Sequence, residues 1–495
     1  MKTTRNTAAL LLDEEAQRFS NFLYPPRKPE KMLELFRLLR LHGKKELSRE
    51  EKKEMKKKLY GNTSGGKQFD MLNHRLNEKI DDFFLSKSAL KNHPVLEKLH
   101  AAQVDIKKKH TLYNFLQNTG RSGIGNDALM EKAIEGAKKY ECYTDLIQLL
   151  HRKQIRRGYR LGEREIDKAT GQIKFYKKCE HALRRATELY YRLVAKKKFS
   201  ANPDIKSLQL FLKSGIKELT ALYKQTGSPE VLYHLKYLEL DFLQNKKNFD
   251  EARMKCVELL DLIMNNVSVF TRQRIDYGFG NLAQCYIYIG DYSYALQLIR
   301  KQKYILPYSL DWFESREMEF RILFYQKKFA KAKALLEVML KNFPDDMEPI
   351  RKARINFYLT AVFFRQGAIK KAQAMLSVNS ELMKDKSGWA ISIRMLELMM
   401  LAVQYNKEEG IGKAKQLKQF LKYHPVVSKR DELMADLFLK MAQQDGKSMK
   451  GLRNGAKLFT AKKGDNAWDA MSHEIIRYDV WLGKFLKRRS SKGNL

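Results

Sequence analysis

Residues 61–68 read GNTSGGKQ. Gly61, Gly66 and Lys67 fall on the pattern G-x4-G-K-[S/T], whose backbone amides cradle phosphates and whose hydroxyl holds Mg²⁺. Gln68 stands where that hydroxyl belongs. The chemistry also needs a buried strand leading into the loop, and the residues before Gly61 are EMKKKLY, a charged helical pattern. The stretch therefore reads as a turn between helices, with Gly61 closing one and Asn62–Gly66 leading into the next. Cys142, Cys179, Cys256 and Cys285 are scattered without a CxxC pair, and the ten histidines lack ligand spacing. HExxH, GxSxG and glycine-rich dinucleotide signatures are absent. The expectation is a non-enzymatic protein with no cofactor and no metal, in a reduced, cytoplasmic setting.

A second chemistry is electrostatic. Lys and Arg total 95 against 57 Asp and Glu, a formal charge of +38, which favours polyanions or acidic partners. Residues 151–200 hold 16 basic and 5 acidic residues, with Tyr159, Phe175, Tyr176, Tyr190 and Tyr191 interleaved. Arg156, Arg157, Arg160, Lys196, Lys197 and Lys198 are its polyanion-binding candidates, since basic residues among aromatics suit RNA or single strands. The competing reading packs the aromatics inside and leaves the charges as a solvated helix face. Residues 30–86 form three amphipathic helices, the third carrying Lys67, Arg75 and Lys79, the outline of a helix-turn-helix DNA reader.

The elements that must position these groups are helices throughout. Ten prolines, 26 glycines and a surplus of Leu, Lys, Ala, Glu, Met and Gln predict an all-α chain. The boundaries read as a lead-in over 1–24, a three-helix region over 25–99, basic hairpins over 100–230, repeats over 231–430, capping helices over 431–485 and a basic, disordered tail over 486–495. YPPRKP stops the first helix, and Ser48 with Glu51 makes a capping box. The segment 162–171, GEREIDKATG, reads as an exposed connection or a frayed helix end. No run of about 20 apolar residues is present to cross a membrane.

From about residue 230 the chain repeats itself. FGNLAQCYIYIGDYSYALQLIRKQKYILP, residues 279–307, places Phe279, Leu282, Ala283, Tyr286, Gly290, Tyr292, Ala295, Ile299 and Pro307 on the tetratricopeptide (TPR) pattern. The unit resembles that repeat and departs from it at Gln302, where alanine is preferred. Marker alanines at 252, 295, 332, 372 and 414 lie 43, 37, 40 and 42 residues apart, longer than the usual 34 or so. The fifth unit is the weakest of these, with Leu417 and Pro425 completing it. The overall plan is also similar to that of uncharacterised bacterial helical-repeat proteins.

The resemblance implies an α-solenoid whose first helices line a groove for extended peptides or partner helices. Carried across, the groove positions are Tyr277, Gln284 and Tyr288, then Arg321 and Tyr325, then Arg354 and Arg365. Gly280 and Gln284 stand where a Lys/Asn carboxylate clamp would be, which disfavours a chaperone-tail adaptor. The expected function is a scaffold with a basic, aromatic groove for a protein or acidic peptide; the alternative is a nucleic-acid-binding regulator. Trp468, Met471, Ile475, Tyr478, Leu482 and Phe485 fall on one face of an expected C-terminal helix, either a cap on the last hairpin or a detachable partner helix.

Overall fold

A computed structural model of the chain describes all residues except 1–7, 9–10, 12, 24–29, 44–46, 62–65, 85–97, 121–123, 200–204, 304, 306, 345–346, 377–379, 385–387, 424–426, 444–447, 460–466 and 493–495. The YPPRKP stop, the turn residues 62–65 and Pro425 thus lie outside the described residues. Every regular element among the described residues is a helix, and none is long and apolar enough to cross a membrane. The chain divides into two compact units, residues 1–181 with 265–272, and residues 182–264 with 273–495.

In the first unit, the helices Asp13–Phe22, Glu30–Leu41, Arg49–Tyr60 and Gly66–Phe84 share one apolar core. Phe19 sits at its centre, edge-on to Phe36 at 4.8 Å and Phe83 at 5.3 Å. The lead-in helix therefore packs with the three helices that follow it. Ser48 and Glu51 close the capping box, and Gly61, at φ +74°, ends Arg49–Tyr60 in the left-handed region open to glycine. Gly61 thus closes one helix and Gly66 opens another, so helices flank the GNTSGGKQ stretch on both sides.

Past Gly162, the segment 162–171 is helical. Tyr143–Leu161 ends at Gly162, and Glu163–Phe199 begins at the next residue. Glu163 and Glu165 in its first turn favour the positive end of the helix dipole. The two helices meet closely at Gly158, where a Cβ would lie 2.4 Å from Ile166 Cγ1.

The second unit is a run of helix hairpins. Pro229–Asn245 pairs with Phe249–Asn265, Arg272–Ile289 with Tyr292–Lys301, Leu310–Tyr325 with Phe329–Lys341, Pro349–Arg365 with Ile369–Leu376, and Trp389–Gln404 with Lys407–Tyr423. Ala252, Ala295, Ala332 and Ala372 are fully buried, which lets paired helices approach. Each hairpin turns through one residue of positive φ, namely Lys247, Gly290, Lys327, Gly367 and Tyr405. Five residues after each comes the small residue whose amide bonds back to the N-cap carbonyl. In the fifth hairpin that residue is Gly410, bonded to Asn406 O, and not Ala414, which lies one helical turn further on. The sequence pattern missed it because it sought alanine, whereas the turn requires only a small side chain.

Lys247 and Lys327 hold left-handed φ values of 57° and 60° without being glycine. Lys327→Gly is expected to stabilise the second unit by about 1 kcal/mol, the left-handed penalty of a Cβ less the entropy that glycine adds to the unfolded chain. Chemical denaturation checks this; a destabilisation would mean that the lysine stem packs more than its backbone strains.

Gln302 fits its unusual position through its amide. It donates to Asp276 O at 2.8 Å and accepts from Ser315 Oγ at 2.6 Å, tying two hairpins together. Gly280 leaves the room: a Cβ there would lie 2.9 Å from Gln302 Nε2.

The C-terminal region departs from expectation. The last helix is Tyr478–Lys492, and residues 467–477 are not helical. Asp469 Oδ1 accepts from Met471 N, a local turn that competes with helix, and side chains of the repeats take up carbonyls that a helix would use internally. Tyr478, Trp481, Leu482 and Phe485 cover the apolar end of the repeats. The helix runs on through most of the stretch expected as a tail.

Candidate functional site

The first helices of the second unit surround a cavity of about 740 Å³. Tyr190, Tyr233, Tyr237 and Tyr277 form an aromatic part of its wall, with Tyr190 edge-on to Tyr237 at 5.0 Å. Arg274 stacks over Tyr233 at 4.1 Å and pairs with Glu230 at 2.8 Å, which fixes that wall. Arg321, Arg351 and Arg354 also line the cavity, beside Trp389. Their charges are matched by Asp311, Glu314 and Glu317: Arg354 lies 2.7 Å from Glu317, Arg351 3.6 Å from Glu314, and Tyr277 donates to Asp311 at 2.8 Å. The lining is thus charge-balanced, where the sequence suggested a basic one.

Of the seven groove candidates, the cavity brings together Tyr277, Gln284, Arg321 and Arg354. Tyr288 and Tyr325 sit instead against the C-terminal segment. Tyr288 stacks on Phe249 at 3.7 Å and donates to Asp469 at 2.7 Å. Tyr325 donates to Ala470 O at 2.8 Å, with Trp468 edge-on at 5.0 Å. Arg365 lies over the Phe329 ring at 5.7 Å, apart from both.

Sequence reasoning did not assign Tyr233, Tyr237, Arg351 or Trp389 to a site. The four-residue step from Tyr233 to Tyr237 on the first helix of a hairpin was the available signal.

Arg321 is buried and spans cavity and segment, donating to Ala470 O at 3.0 Å and Ser472 O at 2.9 Å. Next to it, Ser392 Oγ donates to His473 O at 2.7 Å. Beneath lies a buried polar cluster. Arg430 grips Glu474 through two bonds of 2.7 Å, Tyr478 OH donates to Asp431 at 2.9 Å, and His473 Nε2 meets Asp431 at 3.3 Å.

Burial pushes the His473 imidazole down, but its bond to Asp431 and the attraction of that carboxylate prevail, so its pKa is raised. Burial likewise pushes Asp431 up, and His473 and Ser428 bring it below its ordinary value. Glu474 and Arg321 also face the imidazole. A raised histidine pKa gives stability that is full below the unfolded value near 6.5 and lost as pH rises through the folded value. Depression of Asp431 gives stability that is full above about 3.9 and lost as pH falls. Thermal midpoints are therefore expected to peak at mildly acidic pH, and His473→Gln should flatten the alkaline fall; an unchanged alkaline limb would remove His473 as its source.

The polyanion candidates lie in the first unit or on Glu163–Phe199. Arg156, Arg157 and Arg160 line a separate cleft of about 540 Å³, facing carboxylates. Arg156 pairs with Asp127 at 3.1 Å, Arg157 with Glu165 at 3.4 Å and Glu131 at 3.6 Å, and Arg160 with Asp127 at 3.8 Å. Asp127 and Glu131 lie outside the window in which the sequence charge was counted. Lys196 Nζ sits 5.5 Å over Phe211, and the side chains of Lys197 and Lys198 lie outside the described residues. Among the described residues no group of three or more His, Cys, Asp or Glu side chains is placed to hold a metal ion.

No protein-family model matches the chain, and neither does any curated protein. Among solved structures it is similar to a Signal Transduction ATPase with Numerous Domains (STAND) protein with a tetratricopeptide repeat sensor from Pyrococcus horikoshii. That alignment has 10% identity and a TM-score of 0.26, covering 91% of this chain and 61% of the other. It is similar also to the P58(IPK) TPR domain, at 12% identity and a TM-score of 0.23, over 78% of this chain and 99% of that one. Both neighbours contain tetratricopeptide repeats, and this chain is an all-α protein built of repeated helix hairpins.

Proposed function

We propose that the chain is a non-enzymatic helical-repeat adaptor that binds a segment of a partner protein along the first helices of its second unit. The observation that carries this reading is the 740 Å³ cavity whose wall draws on five successive first helices and four tyrosines. Tyrosine and arginine give large contact area with directional polar tips, a composition suited to protein interfaces. Inside the cavity the carboxylates are paired with arginines or accept from a phenol, an arrangement that positions a ligand more readily than it performs acid–base chemistry. The nucleic-acid alternative is weakened by the carboxylates facing Arg156, Arg157 and Arg160.

The test is a selection of displayed random peptides on the immobilised full chain after nuclease treatment, followed by rebinding to Gln284→Arg and Tyr277→Ala. The expected result is a set of peptides whose capture falls at least about tenfold on both variants, as loss of a central interface contact does. Peptides captured equally by all three proteins would sink the reading. Retention of single-stranded nucleic acid alone, lost steeply as salt rises, would replace it with the polyanion alternative.

A further inference from the structure

The segment 468–474 rests against the repeats as a ligand would. Its internal bonding is local: Ser472 N to Asp469 O, Ile475 N to His473 O, and the side chains of Asp469, Ser472 and Trp468 to nearby main-chain groups. Its attachment to the repeats comes from the face beneath. Arg321, Tyr325 and Ser392 take the carbonyls of Ala470, Ser472 and His473, contacts that read main chain and tolerate many sequences. Side-chain contacts read chemistry: Tyr288 OH donates to the Asp469 carboxylate with Lys247 4.0 Å from it, Arg430 donates twice to that of Glu474, and His473 Nε2 meets Asp431. Met471, Ser472 and His473 also border the open cavity, so an incoming chain has space beside the segment it would replace.

We propose that this stretch of the face is an exchangeable peptide site, and that its partner is a short non-helical segment with the acidic spacing D-x4-E, which enters by displacing residues 468–474. The proposal rests on the adaptor reading and names its partner's chemistry. It also accounts for groove positions Tyr288 and Tyr325 lying away from the open cavity: they serve the part of the face that the chain fills itself. Exchange replaces the main-chain and carboxylate bonds with equivalent ones, whereas simple release would leave Arg430 buried without Glu474.

The test uses a fluorescein-labelled synthetic peptide of residues 467–477, titrated against the full chain by anisotropy. Ala470→Lys puts a cation beside Arg321 and ejects the resident segment, while leaving every residue of the receiving face unchanged. Asp469→Ala removes the bond from Tyr288, the ion pair with Lys247 and the local bond from Met471 N, leaving the contacts of Arg321, Tyr325, Ser392 and Arg430 in place, and it decides the matter if Ala470→Lys fails to fold. The peptide is expected to bind Ala470→Lys at least about tenfold more tightly than wild type, because the self-occupied state withholds the site, with Asp469→Ala between them. A peptide carrying Asp469→Asn and Glu474→Gln is expected to bind at least about tenfold more weakly, from the loss of charge-assisted bonds. Equal binding to wild type and to folded variants would overturn the proposal, and so would equal binding of the carboxylate-free peptide. Neither result touches the adaptor reading, which is tested at Gln284 and Tyr277.

Discussion

Arg430→Met is expected to destabilise the C-terminal hairpins by about 3–5 kcal/mol, the cost of leaving a buried carboxylate without its cation. Arg430 and Glu474 have side chains only 3% and 5% exposed and meet through a bidentate pair. Arg430 also donates to Phe459 O at 3.1 Å and stacks on the Phe459 ring at 4.9 Å, so its loss strands a carbonyl as well. Replacing both partners, with Arg430→Met and Glu474→Leu, should recover much of the loss, since paired apolar substitutes need no desolvation. The effect should stay local, because each hairpin of a repeat array is stabilised mainly by its neighbours. Amide hydrogen exchange is the measurement. Protection should fall along Lys429–Gln443 and stay unchanged along Pro229–Asn245. Uniform loss would show that the unit unfolds as one body, and a loss below about 1 kcal/mol would show the pair to be solvated.

The second large effect is expected at Gly388, where Gly388→Ala should cost about 3 kcal/mol from backbone strain and overpacking together. Gly388 has φ +107°, a conformation that L side chains rarely adopt, and a Cβ there would lie 2.5 Å from His473 Nδ1. The imidazole must move, and with it the contact to Asp431 and the carbonyl held by Ser392. Gly290→Ala is the control. Its φ is +91° but the space around it is open, so only strain remains, at about 1–2 kcal/mol. If the two variants lose the same stability, His473 is not packed against Gly388. If Gly388→Ala loses more and also loses the alkaline fall in thermal midpoint, the histidine contact accounts for the difference.

Much of the fold is local, and local information is what one chain displays. The capping box at Ser48 and Glu51 and the turn at Gly290 each follow from a few neighbouring residues, and the structure holds both. So do the buried alanines 252, 295, 332 and 372, because close helix approach imposes a size limit that a sequence shows directly. Gly410 escaped because the limit admits glycine as well as alanine.

Tertiary structure alone decided everything that depends on which distant groups meet. Asp127 and Glu131 offset the arginines of 156–160 from outside their own window, and no charge count along the chain could pair them. The site is divided the same way. The resemblance to the repeat could place Tyr288, Arg321 and Tyr325 on first helices, yet only folding brings Asp469, Ala470 and Ser472 onto them from some 145–181 positions away. The same contacts cancel the helix that the pattern of Trp468, Met471 and Ile475 announced. A helix bonds its own carbonyls within the segment, whereas here Arg321, Tyr325 and Ser392 provide donors from other hairpins. Helical periodicity reports which side chains could share a face; it carries no information about which backbone groups find partners elsewhere.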